Sequence, residues 1–328
     1  MVEKIKATLL EVQEKNATKI GFIESELPAL KEKEVLIKVK YVPLIHYDTM
    51  KMSGVTGATF PFTPCVELSG VIEDAFNKAL IGKKVSFLSL KFGTLRNYAI
   101  ATEDEILVLK DDADLIKASQ MSCNPFTASG IVDTAVELKA NAFALTAGNS
   151  HVGKIIYRIA QDKGIKCIPI VRSAGRKKEM ESEGFENVVD SSDEKFIQNL
   201  NKIMQDLNSQ LIFDTLAGPI VGQLMKALPK NGILVNFGTQ THEPYSGIDA
   251  TDMRWGNKQM RCFLVGPWID QKIKEGTFET HKKYVSDNPS IFDCVIGDKF
   301  SWKDFDKAVK FANENPNAPK VIISIDEN

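Results

Sequence analysis

Two sets of residues in this chain are of the right kind to hold a phosphorylated ligand. Gly148-Asn149-Ser150-His151-Val152-Gly153 joins an apolar segment, 142–147, to a helical pattern that runs to Lys163 and stops at Gly164. Arg172 ends the next apolar segment, 167–171, and is followed by Arg176, Lys177 and Lys178. A strand that turns through small residues into a helix brings unpaired backbone N–H groups and the positive helix end to one point, which suits a pyrophosphate. The residue at the end of the next strand then meets the adenosine ribose. An acid there accepts from a 2′-hydroxyl, whereas an arginine accommodates a 2′-phosphate. The pattern predicts an NADPH site made by Gly148, Asn149, Ser150, His151, Val152, Gly153, Arg172 and Arg176. Only two glycines of the full dinucleotide fingerprint are clear, with Ser150 and His151 standing where another would be. An ordinary strand–helix turn followed by a surface arginine is the competing reading.

Such a turn needs a parallel sheet around it. Beyond Arg172 the sequence alternates: helix 176–183, strand 188–190, helix 194–207, strand 211–214, helix 219–228 and strand 233–237. Alternation of this kind indicates βαβ units. Asp214, Phe237 and Gly238 close strands at the end where doubly wound folds place their ligands, and they extend the predicted site. Residues 1–117 differ. Short apolar or alternating runs recur at 5–10, 35–42, 70–73, 84–88, 98–102 and 106–109, separated by Gly, Pro and Asn, as in a partly open β-barrel. The tail, 267–328, carries a helix at 304–313 and a strand at 321–325 and returns most simply to the first domain. The expected fold class is α/β: a β-barrel domain at 1–117, a doubly wound domain at 118–266 and a return at 267–328.

Composition narrows the function. A net charge of −2 over 328 residues leaves no basic stripe for nucleic acid. No apolar run approaches bilayer length. The first ten residues read as a strand, with no apolar signal core and with acids that disfavour a transit peptide. The expected location is cytoplasmic, or mitochondrial if the chain is a processed form. Cys65, Cys123, Cys167, Cys262 and Cys294 are odd in number and widely spaced, which fits neither a disulfide framework nor a zinc cluster.

Several segments in order resemble the medium-chain dehydrogenase/reductase superfamily, nearly end to end. Phe60-Pro61-Phe62-Thr63-Pro64-Cys65-Val66-Glu67-Leu68-Ser69-Gly70-Val71 is similar to P-x-x-P-G-x-E-x-x-G-x-V, with Cys65 in place of the glycine. Gly93-Thr94-Leu95-Arg96-Asn97-Tyr98-Ala99 matches G-x-x-x-x-Y-A, and Leu234-Val235-Asn236-Phe237-Gly238 resembles L-V-x-x-G. The resemblance implies a GroES-like barrel and a Rossmann domain. Zinc enzymes of the superfamily place metal ligands where this chain has Ile45 and Val66, so no metal is expected. Among the zinc-free members, Asn149-Ser150-His151-Val152-Gly153 and Val171-Arg172 resemble the turn and strand end of 2-enoyl-thioester reductases. Asp48-Thr49-Met50-Lys51-Met52-Ser53-Gly54 is as close to the quinone oxidoreductases.

Both branches imply hydride transfer, to a conjugated C=C–C=O or to a quinone ring. Negative charge then develops on an oxygen, and a proton must follow. The tyrosine expected from these relatives falls on Thr56 in one branch and on Met50 in the other. Tyr47 and His46 are the nearest substitutes and the candidate catalytic residues. Asn124-Pro125-Phe126-Thr127-Ala128 resembles the family's L-T-A segment, which implies that Thr127 faces the nicotinamide. The resemblance also implies a homodimer acting on a small-molecule enoyl thioester, enone or quinone. The alternative class is an inactive relative serving as a structural subunit of a larger complex.

Overall fold

The computed structural model describes residues 5–293, 295–315 and 318–325; Cys294 and the first four residues of the expected N-terminal strand lie outside them. The chain divides into two compact units, Met1–Cys123 with Ile273–Asn328, and Asn124–Lys272. The borders fall at 123/124 and 272/273, six residues beyond the expected 117 and 266 in each case.

The first unit opens on a hairpin, β1 (Lys6–Val12) and β2 (Ile20–Glu26). It continues with β3 (Glu34–Pro43), helix α1 (His46–Ser53), β4 (Glu67–Ala75), β5 (Lys84–Leu88), β6 (Tyr98–Thr102), β7 (Leu107–Val108) and the short helix α2 (Leu115–Ala118). β1 buries Ala7, Leu9, Leu10 and Val12, the adjacent Leu9 and Leu10 on its two faces. β2 was not expected from the sequence, because most of its residues are exposed and its pattern carries little apolar signal. Gly70 of β4 is required by close approach: a Cβ there would stand 2.3 Å from the Lys38 carbonyl oxygen of β3. Cys65, which replaces the motif glycine, adopts φ 64°, a left-handed conformation that costs a non-glycine residue about 1–2 kcal/mol.

The second unit follows with α3 (Cys123–Glu137, its first residue in the first unit), β8 (Ala142–Leu145), α4 (His151–Asp162), β9 (Lys166–Val171), α5 (Ala174–Ser182), β10 (Val189–Asp190), α6 (Phe196–Asp206), β11 (Leu211–Asp214), α7 (Ile220–Ala227), β12 (Ile233–Asn236), α8 (Ala250–Gly256), β13 (Gln259–Cys262) and α9 (Val265–Lys274, its last two residues in the first unit). Six parallel strands lie in the order β10-β9-β8-β11-β12-β13. The order reverses between β8 and β11, which is the topological switch point of a doubly wound sheet. All four residues of β8 and of β11 are buried, so the central strands read as continuous apolar runs rather than alternating ones. Ile168, Ile212, Leu224 and Leu234 join one core with Phe196 and Leu200 of α6. Trp268 belongs to packing: it abuts Gly130 of α3 and donates to Asp133 Oδ2 at 3.1 Å.

The tail adds α10 (Phe278–Asp287), α11 (Pro289–Phe292), β14 (Ile296–Ser301), α12 (Phe305–Glu314) and β15 (Lys320–Ser324). It rejoins the first unit by hydrogen bonding. β15 pairs antiparallel with β3, giving the order β14-β15-β3-β4-β5-β7 with β6 on the other side of β3. Among the described residues no helix is long and apolar enough to cross a membrane.

Candidate functional site

In the second unit, the turn from β8 into α4 is set by two glycines. A Cβ on Gly148 would lie 2.5 Å from the Pro169 side chain, and one on Gly153 would lie 2.7 Å from both the Ala147 and Gly148 carbonyl oxygens. Both glycines let the turn, helix and neighbouring strand close on one another. Ser150 caps α4, its Oγ accepting from the Gly153 amide at 3.1 Å, so one amide of the first turn is satisfied internally. The remaining first-turn amides, with the helix dipole, make the anion-binding end. His151 and Val152 form that first turn and Asn149 precedes the cap, all half-buried. Nδ1 of His151 lies 3.1 Å from Asn124 Nδ2, which ties the ring to the start of α3. Thr127 is three residues beyond Asn124 on the same helix and therefore shares its face.

Arg172 stands exposed directly after β9, and among the described residues no acid pairs with it. Arg176 differs. Its backbone amide is capped by Ser173, and its guanidinium pairs with Glu179 at 2.7 Å. Arg176 thus has a competing partner that Arg172 lacks.

Asp214 stands at the end of β11. It is fully buried, and its carboxylate is spent on the unit itself. Oδ1 accepts from Thr146 Oγ1 at 2.8 Å and Leu216 N at 3.1 Å; Oδ2 accepts from Ala217 N at 3.0 Å and Asn236 Nδ2 at 3.1 Å. It braces the ends of β8, β11 and β12. Phe237 donates its amide to the Asp214 carbonyl, and the Gly238 carbonyl accepts from Asn236 Nδ2 at 2.8 Å, so both expected residues are held half-buried by the same network.

In the first unit, α1 carries the two candidate proton donors. Its N-terminus is closed by Asp48, whose Oδ2 accepts from the Ile45 amide at 2.9 Å. Gly54, at φ 81°, ends it with a bond to the Lys51 carbonyl. Asp48 and Met52, four residues apart, turn inward; His46 and Tyr47 are left exposed, Tyr47 by 42%. The Tyr47 hydroxyl has no hydrogen-bond partner among the described residues. Burial of its surroundings, then the Asp48 carboxylate and the Cys123 thiol, raise its pKa and keep it a donor.

Behind α1 lies a buried carboxylate pair that sequence reasoning did not assemble. Glu67 Oε1 accepts from the Ser122 and Cys123 amides at 2.6 and 2.8 Å, holding the chain where it turns into α3. Glu67 Oε2, Asp48 Oδ1 and Lys320 Nζ are buried without a hydrogen-bond partner. Burial pushes the Asp48 carboxyl up to about 7, with Glu67 adding to the rise, against the Ile45 amide, Lys320 and Lys51. Burial raises Glu67 as well, opposed by Lys320 and the two amides. Ile45 and Val66 offer no metal-binding atoms in their side chains, and among the described residues no group of three His, Cys, Asp or Glu could hold a metal ion.

Comparison with known proteins fits this geometry. Residues 31–111 match the alcohol dehydrogenase GroES-like domain. The chain is 23% identical to the mitochondrial enoyl-[acyl-carrier-protein] reductase of Dictyostelium discoideum, over 97% of this chain and 91% of that one. It is 25% identical to the NADPH quinone oxidoreductase of Kluyveromyces marxianus, over 70% of this chain and 60% of that one. The solved quinone oxidoreductase of Pseudomonas syringae superposes with a TM-score of 0.79 at 17% identity, covering 97% of this chain and all of that one. The chain therefore carries the GroES-like domain of the alcohol dehydrogenases and takes the medium-chain dehydrogenase/reductase fold, with enoyl reductases and quinone oxidoreductases as its relatives in sequence.

Proposed function

We propose that this chain is an NADPH-dependent, metal-free reductase that passes a hydride to an activated carbon–carbon double bond, that of a 2-enoyl thioester or an enone. The observation that carries the reading is Arg172: an exposed guanidinium with no acidic partner among the described residues, at the end of β9, one strand from a turn built on Gly148 and Gly153 at a helix N-terminus. The residues fit a 2′-phosphorylated dinucleotide. The α4 amides suit its pyrophosphate, Arg172 its 2′-phosphate, and Thr127, Phe237 and Gly238 the approach to its nicotinamide. Once bound, that group supplies the hydride.

The protein's own residues do the rest. Tyr47 donates a hydrogen bond to the substrate oxygen on which charge develops, taking the role that Thr56 and Met50 cannot fill. Its phenol is kept protonated for that purpose by burial and by the Asp48 carboxylate. His46, exposed beside it, is the second proton donor on α1. Asp48 acts indirectly, fixing the start of the helix that carries both. The NADPH quinone oxidoreductase among the relatives favours a second reading, with a quinone ring as acceptor. We further propose a homodimer that joins through the edge strand β13, near which Trp255 and Leu264 are 72% and 67% exposed. The mitochondrial enoyl reductase relatives favour the mitochondrion over the cytoplasm as its location.

The test is NADPH oxidation by the full chain with enoyl thioesters, alkenals and quinones, with and without a chelator. The expected result is chelator-insensitive turnover of an enoyl thioester, with kcat about 100-fold lower in Tyr47→Phe. Turnover of quinones alone selects the second reading. Absence of any turnover makes the chain a structural subunit, and an unchanged rate in Tyr47→Phe returns that tyrosine to a surface role.

A further inference from the structure

The loop that follows β12 is built more firmly than its composition suggests. Gln240 and Thr241 donate their amides to the Thr215 and Leu216 carbonyls, each at 3.0 Å, and Thr241 Oγ1 bonds to the same Leu216 oxygen. Further on, Ser246 and Gly247 press against α7, where a Cβ on Gly222 would stand 2.5 Å from the Gly247 carbonyl oxygen. Tyr245 lies between these two anchor points. It is 39% exposed, and its hydroxyl has no hydrogen-bond partner among the described residues.

The strand register shows what this loop stands beside. Asp214 pairs with Asn236 and Asn236 with Cys262, so these three residues form one row across the carboxyl ends of β11, β12 and β13. The loop that carries Tyr245 is anchored on Thr215 and Leu216, the two residues that follow Asp214, and so stands at the carboxyl end of β11. The Gly148–Gly153 turn and Arg172 follow the carboxyl ends of β8 and β9, on the other side of the switch point. A dinucleotide spans the switch point. With its phosphorylated adenosine at β8 and β9, its other half falls along the row beside which the Tyr245 loop is anchored.

We propose that Tyr245 is a binding residue for the nicotinamide half of the dinucleotide, its hydroxyl donating to the carboxamide oxygen. This rests on the NADPH reading given above. Burial first, then Cys262 and Asp214, raise the pKa of the phenol, so it keeps its proton at neutral pH and serves as a donor. Nothing in the sequence marks the residue, which sits in Glu243-Pro244-Tyr245-Ser246-Gly247 outside any motif.

The experiment compares two probes by calorimetry on the full chain: NADPH, and 2′-phospho-ADP-ribose, which lacks the nicotinamide ring. Emission of bound NADPH gives a second readout. Tyr245→Phe is expected to weaken NADPH by about fivefold, the loss of one neutral hydrogen bond, and to shift its bound emission while leaving 2′-phospho-ADP-ribose unchanged. Arg172→Ala is expected to weaken both probes. Equal weakening of both probes by Tyr245→Phe, or unaltered NADPH binding in both Tyr245→Phe and Tyr245→Ala, overturns the assignment and leaves the nucleotide site standing. If the wild-type chain binds neither probe, the nucleotide reading fails and this assignment falls with it.

Discussion

Each unit buries an aspartate, and the two are treated in opposite ways. Asp214 ends a central strand with both oxygens saturated by a hydroxyl, two backbone amides and a side-chain amide. Asp48 has one oxygen on the Ile45 amide and the other buried without a partner, near a second carboxylate and two lysines. A saturated carboxylate fixes geometry, because most of the donors it holds would be orphaned by its loss. An unsaturated one costs free energy when charged and therefore responds to protons. The Asp214 end of the parallel sheet is thus braced in advance, while the buried carboxylate behind α1 is poised to titrate.

Breaking the braced side should have the larger effect. Asp214→Ala takes the acceptor from the Thr146 hydroxyl and the Leu216 and Ala217 amides and should cost about 3–5 kcal/mol in denaturant unfolding. A loss below about 1 kcal/mol would mean that the network is not the brace described here.

The titrating side should be milder and should carry a signature in pH. Because the folded pKa of Asp48 is raised, the native state holds its proton more tightly than the unfolded chain. The stability this confers is complete below about pH 4 and is lost as the pH rises through about 7. Asp48→Asn keeps an oxygen for the Ile45 amide and removes that titration. The drop in stability between pH 5 and 8 should shrink by roughly 2 kcal/mol in the variant. Parallel stability curves for the two proteins would remove Asp48 from the account.

What the sequence makes legible follows the same division. The buried parallel strands are readable because burial on both faces forces continuous apolar runs; β11 was expected at 211–214 and forms there. Edge and exposed elements, β2 and β13 among them, carry polar residues and give no such pattern. Helix α1 is hidden for a different reason: it is short and polar, and its N-cap is an isoleucine. The turn at Gly148–Gly153 is visible because close approach demands glycine, whatever ligand follows. The role of Asp214 is not, since its partners Thr146 and Asn236 lie 68 and 22 residues away and meet it only in the folded sheet. The buried set of Asp48, Glu67 and Lys320 is invisible for the same reason, with its lysine arriving on the last strand.

The most direct test of the central claim is the ratio of NADPH to NADH affinity in the wild type and in Arg172→Ala. If the guanidinium after β9 holds a 2′-phosphate, the wild type prefers NADPH, and the variant loses about 10- to 100-fold in NADPH affinity while its NADH affinity stays within about twofold. Equal loss for both cofactors, or no preference in the wild type, would contradict it.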